Sequence, residues 1–125
     1  MITDDDVAMV LRAYAAFARG DIGTAVADLA PDVEWVEPDS FPYGGARHGP
    51  AEVADYLRAS YALWSRFTSR ATPHIVGGRI VVVHHVEGVL ADGTPNEATV
   101  ADAFTVADGR VTRMTAYADP ADALS

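Results

Sequence analysis

From Ser69 onward the apolar residues change their spacing, and this change constrains the fold more than any other feature of the chain. Upstream they recur every three or four positions; downstream they alternate. The alternating segments run from Ser69 to Ile75 or Val76, through "RIVVVHHVEGVL", from Ala98 to Val106, and through "RVTRMTAYA". "GG", "ADGT" and "ADG" separate them, and such short turns join antiparallel neighbours. A meander of strands therefore occupies the second half. With 125 residues, half of them apolar, the chain suits a single domain, 1–125, with one core and room for a small cavity.

The first half reads mainly as helix. Thr3 followed by three Asp residues makes an N-cap with negative charge in the first turn, and Val7, Val10, Leu11, Tyr14 and Phe17 recur at helical spacing up to "RGD". Asp21 caps a short second helix with Ile22, Val26 and Leu29 inward, stopped by Pro31. "DVEWVE" follows as a strand. Pro38 to Gly49 reads as a loop, and Pro50 opens a third helix through Val53, Leu57, Leu63, Trp64 and Phe67. Helices early and a meander late make an α+β domain, its curved antiparallel sheet wrapping about three helices.

Charge and composition remove several classes of function. The formal charge is −9 and all nine basic residues are Arg, so no basic surface for nucleic acid is expected. There is no cysteine, which removes thiolate chemistry and disulfides. No apolar run reaches the roughly 20 residues a bilayer needs, and the first ten residues are acidic where a signal peptide is basic. The expectation is a soluble cytoplasmic protein with no membrane partner. Adjacent strand residues His84 and His85 face opposite sides and cannot share an ion, so no metal site is expected. His84 follows Ile80 and Val82 on one face, His85 points outward, and His48 lies in the loop.

Three polar side chains fall where apolar ones belong. Tyr14 lies on the inner stripe of the first helix, Glu37 shares a strand face with Val33 and Trp35, and Asp102 stands between Val100 and Phe104. A buried carboxylate is costly unless it pairs, holds a proton or does chemistry.

"RAYAAFARGD", "APDVEWVEPDSFPYGGARHGPAEVADYL" and "ATVADAFTVADGRVTRMTAYAD" together resemble the ketosteroid isomerases and SnoaL-like proteins of the NTF2-like superfamily, over most of the chain. The resemblance implies a cone of curved sheet around an apolar pocket. It places Tyr14 on the family's catalytic tyrosine, Glu37 on the general base before a proline, and Asp102 on the acid that stays protonated to bind an oxyanion. The isomerases carry Asp as base, whereas Glu37 is one methylene longer. Leu29 and Leu57 stand near the places of the family's supporting tyrosines.

Such an enzyme needs no cofactor. Glu37 would move a proton beside a carbonyl while Tyr14 and neutral Asp102 donate to the developing oxyanion. Walls for a hydrophobic substrate are expected from Trp35, Trp64, Phe67, Val82, His84, Val100, Met114, Ala116 and Ala118, with Phe41, Pro42 and Tyr43 over the mouth. Three functions remain open: a steroid isomerase-like enzyme, a SnoaL-like polyketide cyclase, and a non-catalytic binding or dimerisation module. Asp102 paired to Arg113 would favour the last. Thr99, Ala101, Ala103 and Thr105 form a small-residue face suited to a partner, and a homodimer is expected.

Overall fold

A computed structural model describes residues 1–125. Its elements are α1 (Asp4–Ala18), α2 (Ile22–Ala25), β1 (Leu29–Glu37), β2 (Gly45–His48), α3 (Gly49–Ala62), β3 (Trp64–Val76), β4 (Arg79–Leu90), β5 (Pro95–Ala107), β6 (Arg110–Tyr117) and α4 (Pro120–Leu124). The six strands form one sheet in the order β2-β1-β6-β5-β4-β3. All neighbours are antiparallel except β1 and β6, which run parallel. That pairing adds the first strand, and β2 beyond it, to the outer edge of the later meander, beside its last strand.

The start of α1 follows its sequence closely. The Thr3 side chain accepts from the Asp6 amide at 3.1 Å, and the Asp6 carboxylate accepts from the Thr3 amide at 3.0 Å, closing a reciprocal cap. Asp21 caps α2 through the Thr24 amide. α2 is shorter than its sequence suggests, because Leu29 and Pro31 already belong to β1. Pro31 is tolerated there because β2 pairs only with Glu34 to Glu37, and the β1–β6 register is interrupted between Leu29 and Glu34.

Two further boundaries differ from expectation. β2 occupies part of the segment read as a loop, and α3 ends at Ala62, so Trp64 and Phe67 stand on β3. An irregularity between Trp64 and Arg66 breaks the alternation of β3, leaving Leu63, Trp64 and Phe67 at a spacing that imitates a helix. Gly88 opposite this point admits the close approach. A Cβ there would collide with the Arg66 carbonyl and lie 2.7 Å from the Phe67 Cα.

The concave face holds the core. Met9 and Val10 of α1 and Val53 of α3 pack with Val33, Ile80, Val82, Phe104, Val111 and Met114 from the sheet. On the convex face Val81, Ala101 and Ala103 lie beneath Ala123 of α4. This corrects the expectation that Ala101 and Ala103 are free for a partner: the C-terminal helix covers them. No helix is long and apolar enough to cross a membrane.

Candidate active site

Strand register brings Glu37 and Asp102 level with each other. Val36 pairs with Thr115 across the parallel ladder, which sets Glu37 beside Ala116, and Ala116 pairs with Asp102. The two carboxylates therefore share a row on the concave face, two strands and about 10 Å of backbone apart, with only an alanine between them. Tyr14 comes down on this row from α1, and its hydroxyl donates to Asp102 Oδ2 at 2.5 Å. Trp35, two residues before Glu37 on the same face, donates from Nε1 to Glu37 Oε2 at 2.7 Å.

These groups meet in an apolar cavity of about 160 Å³. Met9, Val10, Phe17, Leu29, Trp35, Phe41, Leu57, Val100 and Phe104 contribute its apolar walls. Glu37 is 6 % exposed. Burial, then the charge of Asp102, raises its carboxyl to about 7, against the opposing hydrogen bond from Trp35. Burial raises Asp102 to about 6, against the opposing hydrogen bond from Tyr14. The Tyr14 phenol is pushed well above its ordinary value by burial and by Asp102, so it remains a donor at neutral pH. Asp102 keeps a little exposed surface, and it belongs to the cavity lining.

Asp28, Tyr56, Ser60 and His84 also border the cavity. Tyr56 of α3 was not among the candidates, although it precedes Leu57 and follows Val53 by three positions, within reach of the same helix face. Burial, then the charge of Glu37, raises its phenol, and the Arg47 guanidinium stacks over its ring at 4.6 Å. His84 lines the cavity with its ring 4.8 Å from that of Tyr14, edge to face. Its Nε2 is buried without a partner, and burial lowers the imidazole to about 4, leaving it neutral at physiological pH.

The SnoaL-like domain model matches residues 10–114. This chain belongs to the SnoaL-like family. An uncharacterized protein of Mycobacterium tuberculosis is 32% identical over 125 residues, covering 97% of this chain and 95% of the relative. A crystal structure of an NTF2-like protein of unknown function from Burkholderia pseudomallei superposes with a TM-score of 0.81 at 26% identity, covering 97% of this chain and 95% of the other. A crystal structure of a candidate polyketide cyclase from Xanthomonas campestris gives 0.77 at 26% identity, covering 96% and 94%. The NTF2-like fold is thus established, with a curved, unclosed sheet.

Within this SnoaL-like cone the expected substrate walls separate into several groups. Trp35, His84 and Val100 line the cavity. Trp64 lines a neighbouring hollow. Phe67 instead packs its ring against Phe17, Tyr61 and Trp64, with centroids 5.6 to 5.8 Å apart. Val82 and Met114 are fully buried in the core beneath the site, because helix side chains cover those inward positions. Ala116 is buried between the two carboxylates and lines no cavity wall, and Ala118 lies exposed beyond the end of β6. Of the mouth residues, Phe41 reaches the cavity, whereas Pro42 lines only the neighbouring hollow and Tyr43 is exposed.

Arg113 donates to Glu34 at 2.8 Å on the exposed side of the sheet and leaves Asp102 to Tyr14. His85 also faces away from the cavity, with Nδ1 2.7 Å from the Thr99 hydroxyl. There, His85, Glu87 and Glu97 bring possible metal-ligating atoms within 4.8 Å of one another. This cluster is separate from the Glu37–Asp102 row.

Proposed function

We propose that this SnoaL-like protein is a cofactor-independent proton-transfer enzyme acting on a hydrophobic carbonyl compound, and that its reaction is ketosteroid isomerase-like. The observation carrying this reading is the row Glu37, Ala116, Asp102, with Tyr14 on the acid and an apolar cavity in front. The substrate carbonyl takes the Tyr14–Asp102 end. Glu37 removes a proton from a carbon next to the carbonyl, the C–H electron pair forms a carbon–carbon double bond, and the carbonyl π pair moves onto oxygen. Glu37 then returns the proton further along the conjugated system, and the carbonyl reforms. Nothing is oxidised or reduced.

The charges favour one arrangement of protons. An ionised Asp102 beside an enolate would repel it, so the productive form has the proton on Asp102 and none on Glu37. The Trp35 indole steadies the ionised base through its 2.7 Å bond. With Glu37 at about 7 and Asp102 at about 6, the pair holds a single proton just below neutral pH, mainly on Glu37 in the free protein, and the reaction requires that a carbonyl bound at the Tyr14–Asp102 end shift it to Asp102.

The test is conversion of a β,γ-unsaturated 3-ketosteroid to its conjugated isomer, followed by ultraviolet absorbance, in wild type, Glu37→Ala and Asp102→Ala. Turnover in wild type that is lost in both folded variants is expected. A folded wild type that does not turn the steroid over would overturn the isomerase reading. The similarity to the candidate polyketide cyclase favours a second reading, ring closure by aldol addition, in which the same base and oxyanion donors serve an enolate that attacks a second carbonyl. Closure of a linear polyketide by the wild type without steroid turnover would select it.

A further inference from the structure

His84 has no part in the reaction proposed above. It is 9 % exposed and lines the cavity, and its Nε2 is the one buried side-chain polar atom in the protein without a hydrogen-bond partner. Tyr14 donates to Asp102 and Trp35 to Glu37, so the polar groups of the row are already paired. A buried nitrogen left unpaired is costly, and in a cavity wall it calls for a partner that arrives from outside the chain.

Strand register puts this imidazole at the oxyanion end of the site. Val82 pairs with Asp102 and His84 with Val100, so His84 stands diagonally from Asp102, about 7–8 Å away by backbone, on the side opposite Glu37. Tyr14 comes down beside it, with ring centroids 4.8 Å apart. Ile80 and Val82, the preceding residues on the same face of β4, are apolar and fully buried. The imidazole interrupts that stripe where it meets the cavity.

We infer that His84 binds a second oxygen of the substrate, a hydroxyl group, while Tyr14 and Asp102 hold the reacting carbonyl. The substrate is then a hydroxylated carbonyl compound, and His84 selects it against frames that carry a single oxygen. The inference rests on the proton-transfer reading of Tyr14 and Asp102.

The chemistry of the two groups matches. Burial lowers the imidazole to about 4, so at physiological pH it is neutral, with one N–H to donate and one lone pair to accept. A hydroxyl also donates and accepts, so it can partner either nitrogen, whereas a ketone oxygen only accepts. Nε2 has no bond to lose. A half-turn of the ring about χ2, which exchanges each nitrogen with a carbon, therefore costs no hydrogen bond there and can turn a nitrogen to the cavity. A substrate without the hydroxyl leaves the imidazole unpaired, and a site built to bond a hydroxyl discriminates strongly against such an analogue.

The test compares 2-naphthol, a phenol that mimics the enolate, with 1,3-, 2,3- and 2,7-dihydroxynaphthalene, which carry a second hydroxyl at three different reaches. Affinities are measured by calorimetry on wild type, His84→Phe and His84→Leu. At least one diol should bind wild type about tenfold tighter than 2-naphthol or better, since its second hydroxyl pairs a nitrogen that is already desolvated. His84→Phe keeps a ring against Tyr14 but removes both nitrogens, and the preference for that diol should fall to about twofold or less. His84→Leu should remove the preference as well, which keeps the inference exposed if His84→Phe does not fold. No preference for any diol in wild type, or a preference that survives in a folded variant, overturns the role of His84 alone. Failure of 2-naphthol to bind wild type overturns the oxyanion reading and the inference with it.

Discussion

Replacing Glu37 by Gln should make the protein more stable at pH 8 and inactive. The sign follows from the direction of the shift. Burial and Asp102 raise the carboxyl from 4.5 to about 7, so between those values the folded chain holds a proton that the unfolded chain has lost. Stability therefore falls as pH rises through that window and levels off above it, a total of about 3 kcal/mol at ~1.4 kcal/mol for each pH unit. Gln has nearly the same shape, its carbonyl can still accept from Trp35, and it carries no charge to desolvate. Relative to wild type, Glu37→Gln should gain about 2–3 kcal/mol at pH 8 and almost nothing at about pH 3.5, where the carboxyl is largely protonated in both states. Urea unfolding followed by fluorescence of the two tryptophans, Trp35 and Trp64, measures this difference at each pH. His84, lowered to about 4 by burial, contributes stability that grows as pH rises toward 6.5, but it does so in both proteins and cancels. A gain of the same size at both pH values, or none at pH 8, would refute the argument that Glu37 is a strained base.

Other consequences concern the rest of the row. Turnover should have a bell-shaped pH dependence with its maximum between about 6 and about 7, since activity needs one proton shared by Glu37 and Asp102; a plateau from pH 5 to 9 would contradict it. Tyr14→Phe removes one oxyanion donor and should lower kcat by about 10²-fold or more, with a smaller change in KM. Arg113→Ala breaks an exposed pair with Glu34 and should change stability by less than about 1 kcal/mol, leaving turnover intact. A large loss of activity in Arg113→Ala would tie the convex face to the site.

How much of this was legible in the chain depended on whether the signal was local. Tyr14, Glu37 and Asp102 declare themselves because each interrupts an apolar stripe whose period is clear, and the structure brings all three to one cavity. Tyr56 gives no such sign. It stands in a helix where an amphipathic phenol is ordinary, and its importance comes from Glu37 and Arg47, which lie on other elements. The helix-to-strand boundary at Leu63 was obscured by an irregularity that imitates helical spacing. α4 has only five residues and buries only Ala123, too short a stretch for a period to emerge. The parallel pairing of β1 with β6 is the least legible feature, since its partners are about eighty residues apart and no turn joins them.

That pairing nevertheless decides the chemistry, because it sets Ala116 between the two carboxylates. Ala116 is buried beneath the cavity and does not line it, and a longer side chain there would rise toward the space in which a reacting ring must lie. Ala116→Val adds two methyl groups at a buried position, with an overpacking cost of about 1–3 kcal/mol. The functional loss should exceed that cost, since misplacement of a reacting carbon by about 1 Å is worth about 10²-fold in rate. Ala116→Gly leaves the space open and should retain the wild-type affinity for 2-naphthol, whereas Ala116→Val should weaken it about tenfold or more. Equal binding of 2-naphthol by folded Ala116→Val and wild type would mean that the enolate does not lie over this row. Glu37 would then not face the carbon beside a carbonyl held by Tyr14 and Asp102.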